Sequence, residues 1–280
     1  MKNNYKTWVP LGHYYSPFPD VEQIRKREYR IWSNLSENLK GIDLNKNEQL
    51  KLLDEFAEYY KEQPFKDQKQ DNLRYYFANR SYSYADALFL YCMIRHLRPR
   101  RIIEVGSGFS SCVTLDTNEL FFNNAIDCTF VEPFPKNLLS AITEKDRATI
   151  KLIPKILQDV DLDFFSELQS NDILFIDSTH VSKVDSDVNY IFFEVLPSLN
   201  RGVYVHFHDI FFPFEYSKNW IYQGRGWNEA YVLRAFLQHN AEFKIAFFTN
   251  YLFRFYKDVV EKNMPLATKN PGGSIWIKKC

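Results

Sequence analysis

The sequence predicts an α/β fold: a seven-stranded, mostly parallel sheet with helices on both faces and a helical extension at the N-terminus. Three observations point to it. Short apolar runs at Arg101–Val105, Cys128–Val131, Thr149–Ile153, Ile173–Ile176 and Gly202–Phe207 alternate with segments of helical length, the signature of a mainly parallel sheet covered on both faces. Two more apolar runs, Lys244–Phe248 and Ser274–Ile277, complete the set. The chain has 280 residues and is 45% hydrophobic, enough for a substantial core.

The elements follow in order. Residues 1 to 20 carry Pro10, Pro17 and Pro19 among aromatics and read as an extended arm. Asp20 can cap a helix in which Val21, Ile24, Ile31, Trp32, Leu35 and Leu39 recur at helical spacing, ending at Gly41. A second amphipathic stretch runs from Asn47 to Tyr60, with Leu50, Leu53, Phe56 and Tyr60 on one face, and Pro64 stops it. Residues 64–80 are polar and turn-rich. From Tyr82 the character changes, and Tyr84, Leu88, Tyr91 and Arg95 predict a third helix closed by Pro99. The expected division is an arm and helical cap over 1–81 and an α/β domain over 82–280.

Composition excludes several classes. Lys plus Arg and Asp plus Glu are both 35, for a net charge of 0, so no nucleic-acid partner is expected. No apolar run approaches the ~20 residues of a membrane span, and the start, MKNNYKTWVPLGHYY, has no apolar signal region. Four cysteines in this length fit a reducing compartment better than a disulfide framework. The expected location is cytoplasmic, with no membrane partner.

Ligands on such sheets bind beyond the carboxyl ends of the strands, so chemistry is sought there. The first run leads into Glu104-Val105-Gly106-Ser107-Gly108-Phe109. Two glycines one residue apart allow a tight turn and close approach of backbone to a ligand. The second run ends at Glu132, where an acid can accept hydrogen bonds from both hydroxyls of a ribose. Gln158 and Asp159 follow the third run and either meet an adenine edge or cap the next helix. Asp177-Ser178-Thr179-His180 follows the fourth, and His206-Phe207-His208-Asp209 closes the fifth. Carboxylates and imidazoles at neighbouring strand ends suit Mg, Mn, Fe or Zn, and composition does not choose among them. His206 is expected to point away from His208.

On these residues the sequence resembles class I S-adenosyl-L-methionine (SAM)-dependent methyltransferases. The loop Glu104–Gly108 and the acids Glu132 and Asp177 fall in that family's order over about residues 82–280. The last two runs look like its terminal antiparallel hairpin. The stretch from Asp172 to Tyr216 resembles a narrower bacterial group, the methyltransferase-24-like enzymes, many of which act on sugars of glycans or natural products. The resemblance implies a Rossmann-like sheet. It implies Glu104, Gly106, Ser107 and Gly108 at the methionine end of SAM, Glu132 on the ribose, Asp159 near the adenine and Asp177 beside the cofactor. It sets Asp177 and Asp209 where metal-dependent O-methyltransferases hold their metal carboxylates. The sequence departs from the catechol type at His180, where that type has its catalytic lysine, and at Ile210, where it has an Asn ligand. It departs from the antibiotic-sugar enzymes at His208, where they have an Asp.

The expected reaction is SAM-dependent methyl transfer to a hydroxyl of a sugar, glycan or natural product. A divalent metal such as Mg or Mn would sit on Asp177, His208 and Asp209. His180 would act as general base, with Asp177 and His208 completing the catalytic set. Tyr15, Phe212, Tyr216, Trp227 and Asn228 are the candidate acceptor contacts, with the arm as a lid. A homo-oligomer built on the aromatic N-terminal helices is compatible with the sequence. The rivals are an NAD-dependent sugar oxidoreductase or epimerase, a metal-dependent hydrolase and a non-catalytic SAM-binding subunit.

Overall fold

The structure, a computed structural model, describes residues 6–280; residues 1–5 of the expected arm lie outside the described residues. The chain builds α1 (Val21–Glu28), α2 (Lys46–Tyr60), α3 (Ala85–Leu97), β1 (Arg101–Val105), α4 (Phe109–Phe122), β2 (Asp127–Val131), α5 (Lys136–Ala141), α6 (Glu144–Thr149) and β3 (Lys151–Ile153). It continues with α7 (Asp163–Ser166), β4 (Ile173–Ile176), α8 (Asp187–Tyr190), α9 (Leu196–Ser198), β5 (Tyr204–His208), α10 (Lys218–Tyr222), α11 (Glu229–Leu237), β6 (Phe243–Phe248), α12 (Thr249–Phe255), α13 (Lys257–Asn263) and β7 (Ser274–Lys279).

The seven strands form one Rossmann-like sheet in the order β3-β2-β1-β4-β5-β7-β6. β1 to β5 pair in parallel, and β7 runs antiparallel to both its neighbours. β1 and β4 are buried almost throughout, which explains the wholly apolar β4 and the Ile102, Ile103 and Val105 of β1. The connection reverses direction across the sheet between β1 and β4, opening a crevice at their carboxyl ends. Two backbone bonds fix that edge: Gly106 N–H donates to Val131 O (3.0 Å), and Asp177 N–H to Val105 O (2.9 Å).

Three local expectations need correction. The first helix ends at Glu28 and passes through one wide turn over Tyr29–Ser33, so Leu35 and Leu39 are not helical. Ser36 Oγ accepts from Asn38 N–H (3.1 Å), a local bond that competes with helix continuation. The third strand starts at Lys151, because Thr149 still belongs to α6, whose Thr143–Asp146 capping box holds the turn. The terminal pair β6–β7 is antiparallel but not a tight hairpin, since α12 and α13 lie between its strands.

The core is continuous from α2 into the sheet: Phe56 packs on Phe89 (ring centroids 6.3 Å) and Phe247 (5.4 Å). Gln49, buried on α2, accepts from Phe248 N–H (2.7 Å). The segment between α2 and α3 is anchored by Arg74. Its guanidinium meets Asp116 (2.7 Å) and Glu119 (2.7 Å) of α4 and Asp146 of α6 (Nε to Oδ2, 2.8 Å). No helix among the described residues is long and apolar enough to cross a membrane.

Candidate active site

The turn after β1 is built for close approach. Gly106 has φ +80°, and a Cβ there would stand 1.8 Å from the backbone oxygen of Asp177. Only glycine fits such a position. Gly108 differs: a Cβ there would meet nothing within 4 Å, because the residue faces open space. Glu104 lies beneath the turn, not on its surface. Its Oε1 accepts from Ser110 Oγ (2.6 Å) and Ser111 Oγ (2.7 Å), while its Oε2 has no partner among the described residues. Burial outweighs those two bonds and pushes its carboxyl up to about 8. Glu104 therefore holds the loop and does not line the cleft.

Two cavities meet along this edge, of about 700 Å³ and about 440 Å³. Gly106, Glu132 and Asp177 line both. The larger includes Ser107, Gly108, Arg80 and Tyr82; the smaller includes Phe134, Ile156, Gln158 and Thr179. Glu132 faces the junction and accepts from Ser107 N–H (3.2 Å) and Phe134 N–H (2.7 Å). Phe134 is 81% exposed beside it. Of the polar pair after the third strand, Gln158 lines the smaller cavity, whereas Asp159 is exposed and lines neither. The 3-10 turn Leu157–Asp159 rotates it outward.

Next to Asp177 a second constellation forms. One atom each from Asp177, His180 and Asp209 lies within 4.8 Å of the others. His180 Nε2 is 3.3 Å from Asp177 and 3.7 Å from Asp209. His180 Nδ1 pairs with Glu229 Oε2 at 2.8 Å, and both residues are buried. His180 (φ 59°) and Asp209 (φ 57°) occupy the left-handed region, a strained conformation that clusters at functional sites. His208 stands outside the trio: its Nε2 is 3.6 Å from Asp209 and its ring lies 5.1 Å from that of Tyr82. His206 shares its face, with the rings 5.9 Å apart at 20°. The expectation that they diverge is wrong, since residues two apart on a strand point the same way.

Electrostatics suits an ionic cluster. Burial works against charge on His180, but hydrogen bonds to Asp177 and Glu229 outweigh it and raise its pKa to about 10. Burial likewise opposes the Asp177 carboxylate, yet His208 and His180 hold its pKa below the usual value. Burial raises Asp209 and Glu229. Carboxylates at both ring nitrogens thus favour the imidazolium form of His180.

Of the five candidate acceptor contacts, Trp227 and Asn228 border the cluster and are half-buried, and of these two only Trp227 has a side chain not tied to backbone. Trp227 is half-buried, its ring 4.4 Å from that of His180. Phe212 is core, packed on Tyr251 and Phe255. Tyr216 is buried and its hydroxyl accepts from Ala230 N–H (3.1 Å). Asn228 clamps the backbone of Ser182, accepting from its N–H (2.6 Å) and donating to its carbonyl (3.2 Å). Tyr15 is 71% exposed, stacks on Trp8 and lines neither cavity. Glu229 falls in the helix start that the sequence sets near the acceptor, but its pairing with His180 across 49 positions is one that no local spacing signals.

A family model described as "Methyltransferase domain" matches residues 103–210, from β1 to just past β5. A protein of Archaeoglobus fulgidus, named only "Uncharacterized protein", is 40% identical over 165 residues, 58% of this chain and 74% of that one. Among solved structures, the methyltransferase PaMTH1 of Podospora anserina, bound to S-adenosylhomocysteine (SAH), is similar over 99% of this chain and 100% of its own, at 14% identity and TM-score 0.44. The O-methyltransferase TomG of Streptomyces achromogenes, solved with SAM and involved in tomaymycin synthesis, is similar over 93% and 98%, at 14% identity and TM-score 0.44. Likenesses at that level carry no activity across. The chain belongs to the same family as the Archaeoglobus protein, and within it residues 103–210 match the methyltransferase domain model.

Proposed function

We propose that the protein transfers the methyl group of SAM to a hydroxyl of a sugar-like or natural-product acceptor at the Asp177–His180–Asp209 cluster. One observation carries this reading. Asp177 lines the nucleoside-sized cleft and also belongs to the ligating trio, so cofactor and acceptor chemistry meet at one carboxylate.

SAM fits the cleft by its chemistry. The open space at Gly108 and the tight turn at Gly106 admit its methionine end, and Glu132 can accept from both ribose hydroxyls. Phe134 and Ile156 offer apolar faces for adenine, with Gln158 at its edge. When bound, SAM supplies an electrophilic methyl on a sulfonium, so the acceptor oxygen needs only alignment and loss of its proton. The cluster provides both. Burial makes Asp209 the more basic carboxylate, suited to receive the acceptor proton.

The trio also fits a divalent cation. Its two carboxylates and one imidazole are ligands that Mg, Mn, Fe or Zn accept. The Glu229 carboxylate behind His180 Nδ1 reproduces the second partner that metal-bound histidines have. A divalent ion held there would lower the pKa of an acceptor hydroxyl and orient it, with Asp209 then serving as ligand in place of proton acceptor. His180, not His208, then joins Asp177 and Asp209 as ligand.

The test is His180→Ala. Mn²⁺ affinity, followed by electron paramagnetic resonance, should fall by more than the roughly 10–100-fold expected for removing the supporting Glu229 (Glu229→Gln). SAH formation on a sugar panel should fall in parallel while SAM affinity holds. A loss of SAM affinity equal to the loss of rate would place His180 in the cofactor site instead.

A further inference from the structure

The turn between α10 and α11 holds a cation without a partner beside the cluster. The Arg225 guanidinium carbon lies 4.3 Å from the Trp220 ring centroid and 4.8 Å from that of Trp227. The two indoles are 5.0 Å apart at 74°, so they form an aromatic corner around it. The turn is held firmly. Asn228 and Glu229 N–H both donate to His180 O (3.0 and 3.2 Å), and Arg225 N–H donates to Trp220 O (3.1 Å). Phe18 of the arm covers Gly226, where a Cβ would stand 2.8 Å from its ring.

Arg74 holds three carboxylates, Arg95 holds Glu62 and Arg101 meets Glu167, while half-buried Arg234 donates to the Pro213 carbonyl (3.3 Å). Among the described residues no carboxylate reaches ion-pair distance of Arg225, although its charge is near enough to favour the ionised form of Asp209. The indoles cover guanidinium faces. Its edges carry N–H donors in a rigid fork that matches a carboxylate or phosphate. A fork already held by two rings loses little freedom on binding.

We infer that Arg225 determines acceptor specificity by binding an anionic group on the acceptor, so that the substrate class is an acidic sugar, either a uronic acid or a sugar phosphate. The inference rests on the proposed function for the word acceptor. The anion site itself stands on the geometry of Arg225.

Because Arg225 touches two of the five tryptophans, anion binding should be visible in tryptophan fluorescence. The full-length protein, with and without saturating SAH, is titrated with glucuronate, glucose 6-phosphate, inorganic phosphate and glucose. The acids should change the emission and glucose should not. Glucuronate binding ahead of glucose 6-phosphate assigns a carboxylate, and the reverse order a phosphate. Arg225→Gln should weaken the preferred acid about tenfold or more, with unchanged circular dichroism and SAH affinity. Arg225→Lys, which keeps the charge but not the fork, should lie between. Equal binding of glucose and glucuronate, no response to any acid, or an unchanged response in Arg225→Gln overturns the inference. So does a fall in SAH affinity in that variant, which would assign Arg225 to the cofactor. Failure of the wild-type protein to bind SAH would instead overturn methyl transfer, leaving acid selectivity to be read from the SAH-free arm.

Discussion

Gly106→Ala should lower stability by at least about 3 kcal/mol and abolish SAM binding in whatever protein remains folded. Two effects combine. The left-handed backbone costs a residue with a Cβ about 1–2 kcal/mol. The added carbon would also stand 1.8 Å from the Asp177 carbonyl oxygen, a backbone atom that cannot move without displacing the end of β4. The strand ends would part just where Asp177 serves both cleft and cluster. Gly108→Ala is the control. With nothing within 4 Å of the new carbon, it should keep the wild-type melting temperature and lose only SAM affinity, since the methyl enters the cleft. Equal melting temperatures for Gly106→Ala and wild type would refute this account of the turn.

The second large effect is at Arg74, far from the chemistry. Arg74→Ala should cost about 3–5 kcal/mol, because removing one partner leaves buried charges uncompensated. Asp116 is fully buried and Asp146 nearly so, whereas Glu119 is partly exposed and contributes little. Asp116 also accepts the backbone N–H groups of Arg74 and Tyr75 (3.0 and 2.8 Å), so the whole segment loosens together. That segment forms the cavity wall at Tyr76, Asn79, Arg80 and Tyr82, and acceptor use should suffer with stability. Urea unfolding decides it: a change below about 1 kcal/mol would mean the cluster behaves like exposed surface pairs.

The parts of this molecule legible in the sequence are those encoded locally. β1 and β4 match their runs residue for residue, because strands buried on both faces are mostly apolar; the buried exception, Glu104, is satisfied in part by Ser110 and Ser111. The glycine turn, Glu132, Asp177 and Asp209 stand at strand ends, where topology alone brings them together. What the sequence does not reveal depends on distant partners. Arg74 meets carboxylates 42, 45 and 72 positions away, and Asp116 reads locally as an ordinary helix residue. Glu229 looked like the start of a helix. Phe212 and Tyr216 looked like an acceptor wall because aromatics after a strand have the same pattern whether they face a cleft or the core. His180 was legible as a site residue, but its role was not, since that depends on Glu229 behind it.

The central claim is that the crevice between β1 and β4 binds SAM beside the Asp177 cluster. Its most direct test is calorimetric titration of the chelator-stripped protein with SAM, with and without Mn²⁺, and with NAD in parallel. The account predicts one SAM bound per chain and no NAD. NAD binding without SAM binding would contradict it.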